Sequence, residues 1–397
     1  MIPGMSEMAT AGELLDLVRS GQASTRTDLR RLTGLSRTAV VARVSALLDA
    51  GLLLLGEELA STGGRPPGAL VFNHDAGVVL GVAVGRSRSQ LAIFDLQGRE
   101  LSGDTRDHGV GISAEELMPQ LADRLSAMLA TVEPPVLGIG MSLPGVVDPE
   151  RMVSVDSPVM GGWDGVELEP FFKEVADVPL FLANDADVLA RSELFGPGPK
   201  PRNALVVKAS TGLGMGVIAD GRILPGAIGA AGEIGHTRLD AAGDLPCRCG
   251  SNGCLETVAA GWALVAKLVD SGVSAGHVRD LVASALAGDA VARGLLRESG
   301  RHLGELLAIA INLLNPEVVV IGGDMGQAFD LYTAGVRESV YARSTALATR
   351  NLRFTPATHA DSAGLVGCAA LAIDHILAPS SVDRRLGALA TADGIDD

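Results

Sequence analysis

The stretch GEIGHTRLDAAGDLPCRCGSNGCLE, residues 232–256, is the part of this sequence that says most about its fold. It holds three of the four cysteines, Cys247, Cys249 and Cys254, with His236 shortly upstream. Three thiolates and one imidazole form the ligand set of a closed, tetrahedral structural zinc site. The alternative is a chance gathering of cysteines, but free cysteines are usually scattered through protein cores. The spacing therefore predicts a loop that wraps one zinc ion.

Two carboxylates, Glu233 and Glu256, bracket the cysteines. Zinc prefers thiolates to carboxylates where both are available, so we expect these two side chains to serve another purpose. The pattern AGExGH followed by CxCGxxGCxE resembles the signature of the ROK family of repressors, open reading frames and sugar kinases. This resemblance extends from the N-terminal segment to NPEVVVIGG, residues 315–323, and covers essentially the whole chain.

Length and composition restrict the class of protein. A chain of 397 residues with 47% hydrophobic and 20% charged residues is long enough for two or three globular domains. No apolar run approaches the roughly 18 residues that span a bilayer, and the first ten residues have no signal-peptide pattern. Clustered, metal-type cysteines suit a reducing compartment. We therefore expect a cytoplasmic protein.

The charge distribution separates one end of the chain from the rest. The net charge of −15 argues against nonspecific nucleic-acid binding by the whole protein. Residues 24–45, however, carry five arginines against one aspartate; they are Arg26, Arg30, Arg31, Arg37 and Arg43, against Asp28. This basic surplus marks a candidate DNA-binding segment.

Residues 1–75 read as a winged helix-turn-helix. Three short helices are predicted, the last beginning at Ser36 and burying Val40, Val41, Val44, Leu47 and Leu48, and two strands follow around a glycine- and proline-rich tip. In that geometry the third helix enters the major groove. The residues expected to face bases or phosphates are Ser36, Arg37, Thr38 and Arg43, with Arg65 in the wing. Three helices are also a common packing module without any DNA contact. ROK repressors resemble this arrangement, whereas the family's kinases begin at the next segment.

The remainder alternates strands, turns and helices, which indicates an α/β fold. The ROK resemblance implies the two-lobed actin-like ATPase architecture of sugar kinases, heat-shock proteins and actin. We expect lobe 1 in residues 76–198 and lobe 2 with the zinc loop in residues 199–378; in an alternative arrangement the last helix packs back on lobe 1. Cys368 on that helix is interpreted as a core residue. The polar, acidic residues 379–397 are predicted to be a flexible tail.

Several residues fit a sugar-binding cleft. Asn184 and Asp185 end a predicted strand, and a carboxylate there could act as general base toward a sugar hydroxyl, although Asn and Asp also favour a plain turn and helix cap. The resemblance implies that Asp185 occupies the position of the kinases' catalytic base. It also implies a set of sugar-binding positions: Ser142, Gly145, Asn184, Asp185, Glu233, His236 and Glu256. His236 could bind zinc through one ring nitrogen and sugar through the other.

The nucleotide half of the expected cleft departs from the kinase pattern. A glycine-rich bend at residues 210–216 could approach phosphate, but a tight turn would explain it equally. The kinases' first phosphate loop reads D-x-G-G-T, and this chain has Ala83 in place of the aspartate and Arg86 in place of the second glycine. Without the metal-holding carboxylate, phosphoryl transfer loses much of its electrostatic stabilisation. We therefore do not expect ATP as a cofactor.

These observations favour a sugar-responsive repressor that binds operator DNA as a homodimer or homotetramer, with structural zinc and no enzymatic activity. An ATP-dependent sugar kinase with an added domain is the alternative, supported by the retained sugar residues. A regulator that senses a protein partner remains a third interpretation, on which the sequence is silent.

Overall fold

The computed structural model describes residues 9–58, 68–148, 151–155, 160–196 and 198–392. The head comprises the described part of residues 9–72. Its elements are α1 (Ala11–Arg19), α2 (Arg26–Thr33), α3 (Arg37–Asp49), β1 (Leu53–Glu58) and β2 (Gly68–Phe72). The two strands pair antiparallel. Three helices followed by a hairpin agree with the predicted winged helix.

Local sequence explains where the helices of the head begin. The side chains of Thr10, Thr25 and Ser36 each accept a hydrogen bond from the backbone N–H three residues later, so each helix starts at an N-cap. Gly34 has φ of 75°, a left-handed conformation that ends α2 at little steric cost.

The predicted buried face of α3 is wrong at one position. Val40, Val44 and Leu47 are buried, but Val41 is 46% exposed. Successive residues of a helix point about 100° apart, so Val41, which follows the buried Val40 in sequence, points away from the apolar stripe.

Lobe 1, residues 78–193, is built on a five-stranded sheet of order β5-β4-β3-β6-β9. Its elements are β3 (Val78–Val84), β4 (Arg88–Asp95), β5 (Glu100–Asp107), α4 (Ala114–Leu129), β6 (Val136–Leu143), β7 (Val147–Asp148), β8 (Val153–Ser154), β9 (Leu180–Asn184) and α5 (Asp185–Glu193). Strand β3 is buried along its whole length and pairs with β4 antiparallel and with β6 parallel.

Lobe 2, residues 204–356, repeats this topology with the sheet order β12-β11-β10-β13-β14. Its strands are β10 (Ala204–Ala209), β11 (Leu213–Ala219), β12 (Arg222–Ile223), β13 (Val318–Gly322) and β14 (Arg353–Pro356). Its helices are α6 (Glu256–Ala259), α7 (Gly261–Asp270), α8 (Val278–Leu286), α9 (Ala290–Leu314), α10 (Phe329–Arg343) and α11 (Ala346–Thr349). The two lobes agree with the expected actin-like architecture.

Two helices lie between the sheets and require small residues at their contacts. Helix α12 (Ala363–Ile376) packs on lobe 1, where a Cβ at Gly140 would overlap the backbone of Cys368. Helix α5 packs on lobe 2, where Gly216 meets Ala190, and the helices meet each other where Gly367 approaches the Val188 carbonyl. Cys368 is fully buried, as predicted.

The predicted flexible tail is wrong for most of its length. Residues Pro379–Ala392 form helix α13, which packs against α1 of the head. The Gly12 N–H donates to Asp383 Oδ1 at 2.8 Å, and Val382 is 1% exposed. The tail's composition is polar on average, but Val382 and Leu386 lie one helical turn apart and pack into the core cluster of the head, while Leu389 is 43% exposed.

Among the described helices, no single one is long and apolar enough to cross a membrane. The helical segments 360–376 and 379–389, which are bent by 59° relative to each other, together match a membrane span in length and composition only.

Candidate functional site

A cleft of about 500 Å³ lies between the two lobes. All seven residues predicted to bind sugar line it; they are Ser142, Gly145, Asn184, Asp185, Glu233, His236 and Glu256. They come from loops and element ends of both lobes, so a ligand here would contact both lobes at once. Ala83, Arg86 and the bend at residues 210–215 line the same cavity.

Asn184 is held by its own local structure. Its Oδ1 accepts a hydrogen bond from the Ala186 N–H at 2.7 Å, and its Nδ2 donates to the Gly145 carbonyl at 2.7 Å. The first bond caps α5, and the second fixes the loop that follows β6. The cap interpretation of Asn184 is therefore correct, and the cap also sets the position of the neighbouring Asp185.

Asp185 forms an ion pair with Lys208, whose Nζ lies 2.8 Å from Asp185 Oδ2. Burial alone would lower the pKa of Lys208, but the carboxylates of Asp185, Asp324 and Glu256 raise it above its ordinary value. Lys208 was missed by the sequence reasoning. The available signal was a single lysine in the otherwise apolar strand β10.

Glu256 is 4% exposed, and both of its oxygens are occupied. Oε1 accepts from the Leu213 N–H at 2.7 Å, and Oε2 accepts from Trp262 Nε1 at 3.1 Å. Position 212 requires a glycine, because a Cβ there would lie 2.8 Å from Glu256 Oε1. Glu256 thus holds the glycine-rich bend against the start of α7, and Trp262 is a further cleft residue that the sequence reasoning missed.

Glu233 and His236 face each other with 3.9 Å between Oε1 and Nε2. Burial raises the pKa of Glu233; His236 opposes this shift, and the carboxylates of Glu256 and Asp185 add to it. Glu233 and His236 thus place a carboxyl and an imidazole side by side at the cleft, and both can form hydrogen bonds with hydroxyl groups.

The four predicted zinc ligands lie together. The ligand atoms of His236, Cys247, Cys249 and Cys254 are all within 4.8 Å of one another. Cys249 Sγ lies 3.7 Å from Cys254 Sγ, and Cys247 Sγ lies 3.5 Å from His236 Nδ1. Tetrahedral Zn–S bonds of about 2.3 Å place two sulfurs roughly 3.8 Å apart, so these separations fit a zinc ion. Nδ1 faces the sulfurs while Nε2 faces Glu233 and the cleft.

On the nucleotide side, Arg86 occupies the turn between β3 and β4. Its Nε is buried and has no hydrogen-bond partner among the described residues. Burial lowers the pKa of Arg86, and the charge of Glu256 opposes this shift. Asp324 accepts a hydrogen bond from Ser210 Oγ, so a carboxylate also lies at the far wall of the cleft.

Three of the five predicted DNA-contacting residues lie at the start of α3. Ser36, Arg37 and Thr38 are exposed, and the Ser36 side chain caps the helix through the Ala39 N–H at 3.2 Å. Arg43 is half-buried and donates to the Ala39 carbonyl at 3.3 Å. The wing position Arg65 lies outside the described residues. The exposed Val41 stands one turn after Arg37 and adds an apolar group to the same face.

Comparison with known proteins identifies related chains. The model of the ROK family matches residues 79–375. The xylose repressor of Caldicellulosiruptor bescii is 28% identical over 92% of this chain and 95% of its own length. The N-acetylglucosamine repressor of Escherichia coli O157:H7 is 30% identical over 76% of this chain and 77% of its own length.

Two solved structures show the same fold. A ROK family transcriptional regulator, a homolog of the E. coli MLC protein, superposes with a TM-score of 0.79 at 27% identity, covering 96% of this chain and 98% of that one. The ROK family glucokinase from Streptomyces griseus, solved in complex with glucose and AMPPNP, superposes with a TM-score of 0.63 at 28% identity, covering 75% and 99%.

Proposed function

Because the chain belongs to the ROK family, we propose that it is a DNA-binding transcriptional repressor that responds to a sugar. One observation carries this proposal. The ROK transcriptional regulator covers 96% of this chain, whereas the ROK glucokinase covers only 75%. The head, whose described residues are 9–58 and 68–72, precedes the family match and consists of three helices followed by a hairpin, an arrangement in which the third helix can enter the major groove.

In this proposal the start of α3 enters the major groove. Arg37 supplies a charged contact to phosphate or guanine, Thr38 a hydroxyl, and the exposed Val41 an apolar contact suited to a thymine methyl group. Arg43 bonds to its own helix and is better suited to phosphate than to a base edge. The expected partner is an operator with two half-sites, bound by a homodimer or homotetramer in the cytoplasm.

The cleft is the proposed effector site. Asp185, Glu233 and His236 present polar groups from both lobes to a hydroxylated ligand. A ligand that contacts both lobes favours the closed arrangement, because its binding free energy differs between open and closed states. Helix α12 begins at the cleft and leads into α13, which packs on the head, so closure can change the placement of the heads.

Zinc is the metal that the Cys₃His set and its separations suit. His236, Cys247, Cys249 and Cys254 would hold it, and its chemical contribution would be to fix the loop rather than to react. His236 would bind zinc through Nδ1 and leave Nε2 directed toward the cleft. The metal loop would thereby orient a ligand-binding imidazole.

A sugar kinase is the second candidate, and the retained Asp185 favours it. Two features oppose it. Asp185 is ion-paired with Lys208, and Ala83 and Arg86 occupy the positions where the kinases' phosphate loop has its aspartate and second glycine. We propose that the chain binds sugar without transferring phosphate to it.

The test is binding to the promoter next to the protein's own coding region, titrated with sugars while ATP consumption is followed in the same samples. Arg37→Ala should weaken operator binding about tenfold and reduce its salt dependence. Arg202→Ala, which removes a charge in an exposed pair with Asp220 on lobe 2, should leave binding unchanged. Sugar-dependent ATP turnover without DNA binding would instead identify a kinase.

A further inference from the structure

The cationic side chains of the cleft differ in whether they are paired. The cations with carboxylate partners are Lys208, bound to Asp185, and Arg88 and Arg279, both bound to Asp107. Arg248 lies over the Trp262 ring at 4.3 Å. Among the described residues of the cleft, Arg86 has neither an ion pair nor a hydrogen bond, and its Nε is buried.

Glu256, a carboxylate that acts on Arg86, already accepts hydrogen bonds from other groups. Glu256 raises the pKa of Arg86 against the larger effect of burial. Both Glu256 oxygens, however, accept hydrogen bonds from Leu213 and Trp262. A guanidinium offers five N–H donors and cannot lose its charge under ordinary conditions. Arg86 is therefore a half-buried cation whose Nε has no hydrogen-bond partner among the described residues, and it lines a ligand-sized cavity.

The turn that carries Arg86 is fixed on both sides. The Gly85 N–H donates to the Arg88 carbonyl at 2.8 Å, and the His108 N–H donates to the Ser87 carbonyl at 2.9 Å. The backbone of Arg86 is thus held between two anchored neighbours on lobe 1. The fold therefore places the Arg86 side chain at the cavity, whereas a long side chain on an open surface has no such support.

The cleft is lined by two kinds of polar group. Asp185, Glu233 and His236 suit hydroxyl groups, and Arg86, in the turn between β3 and β4, suits an anion. We propose that the effector is an anionic sugar, a phosphate monoester or a sugar acid, whose charged group pairs with Arg86. This inference rests on the proposed function and specifies the chemical class of its ligand. Arg86 would then have turned a phosphate-transfer loop into an anion-recognition loop.

The test compares neutral sugars with their anionic derivatives on the full-length protein. Xylose, glucose and N-acetylglucosamine are titrated by calorimetry beside their phosphate monoesters, glucuronate and inorganic phosphate. We expect at least one anionic derivative to bind ten times or more tightly than its neutral parent. Phosphate esters and uronates distinguish the two sources of charge, and inorganic phosphate shows whether the anion binds without the sugar.

Substitutions of Arg86 test whether this side chain causes the preference for anionic over neutral ligands. Arg86→Gln should abolish the preference for the anion while keeping affinity for the neutral parent, and Arg86→Lys should restore part of it. Arg202→Gln is the matched control and should retain the full preference. Because Arg86 is half-buried and glutamine keeps a polar group at this position, the melting temperature of Arg86→Gln should stay close to that of the wild type, which excludes misfolding as the cause.

The proposal is overturned if the neutral sugars bind as tightly as every anionic derivative, if nothing in the panel binds, or if Arg86→Gln retains the preference. Operator binding is measured in parallel. If the wild type binds operator DNA and any of these results is obtained, only the proposal of an anionic effector is refuted. If the wild type does not bind operator DNA but prefers the anionic ligands, the proposed repressor function is refuted and the proposed class of ligand is retained.

Discussion

Arg279 on α8 of lobe 2 donates two hydrogen bonds of 3.2 Å to a single carboxylate oxygen of Asp107 on β5 of lobe 1. Arg88 Nε donates to the same oxygen at 2.8 Å. These three residues form an interlobe ion-pair cluster at the rim of the cleft. Hydrogen bonding from Arg88, opposed by a small desolvation effect and supported by Arg279, lowers the pKa of Asp107 to about 2.

Asp107→Asn should loosen the contact between the lobes. Asp107 is 59% exposed, so the loss of stability should stay below about 1 kcal/mol. Hydrogen–deuterium exchange should nevertheless accelerate at the start of α8 and the end of β5. Asp220→Asn, which breaks an exposed ion pair within lobe 2, should leave both segments unchanged. Because the folded pKa is depressed, the contribution of Asp107 is complete above about pH 4 and is lost as pH falls toward 2. Equal exchange in both variants would show that the cluster does not hold the lobes.

Gly12→Ala should separate α1 from α13. A Cβ at Gly12 would overlap the backbone of Pro379, so one helix must move. Overpacking of this kind costs about 1–3 kcal/mol, measured by chemical denaturation. Gly294→Ala is the control, because Gly294 also lies within a helix but has open space around its Cα; this change should be neutral or stabilise by up to about 1 kcal/mol. If Gly12→Ala were as stable as Gly294→Ala, the docking of α13 on the head would be wrong.

Removal of the metal should destabilise lobe 2. Metal analysis of the purified protein should find about one zinc per chain, and a strong chelator should lower the melting temperature. Cys249→Ser should lower both the zinc content and the melting temperature. Cys368→Ala should keep the zinc, because Cys368 lies in the core away from the cluster. A folded protein without metal would refute the zinc assignment.

Because of Asp187 on α5, we expect the stability of the protein to fall as pH rises toward neutrality. Burial raises its pKa to about 7; Arg191 opposes this shift, and Asp185 and Glu233 increase it. A carboxyl whose folded pKa is raised destabilises the protein once it ionises, so its contribution to stability falls as pH rises from about 4 to about 7. Asp187→Asn should therefore stabilise at pH 8, by at most about 4 kcal/mol, and flatten the pH profile of the melting temperature.

Asp123→Asn, an exposed substitution on α4, is the control and should stay within about 0.5 kcal/mol of the wild type at every pH. A pH profile of Asp187→Asn parallel to that of the wild type would contradict the raised pKa.

Local patterns predicted the parts of the molecule that local chemistry determines. The helix caps at Thr25 and Ser36 accept hydrogen bonds from backbone groups three residues away, so spacing along the chain is enough to find them. Strand β3 is apolar throughout, which is the local pattern of a buried strand. Strand β5 carries no such pattern, because it lies at the edge of its sheet and most of its residues are exposed.

The roles of residues whose partners are distant along the chain could not be predicted from local sequence patterns. Lys208 appeared as a lysine in an apolar strand, and only its ion pair with Asp185 explains it. The repeated strand order of the two lobes has no counterpart in a visible sequence repeat, because many apolar sequences suit one topology.

The sequence by itself predicted the candidate metal loop and the winged-helix pattern of the head, since four potential ligands within a short segment and short helices with local caps depend on close neighbours along the chain. The tertiary structure alone decided two other features. Residues 379–392 form a helix that packs on α1 of the head, and the Arg86 Nε is buried without a hydrogen-bond partner among the described residues. Both depend on contacts between segments far apart in the chain, and burial sets their energy.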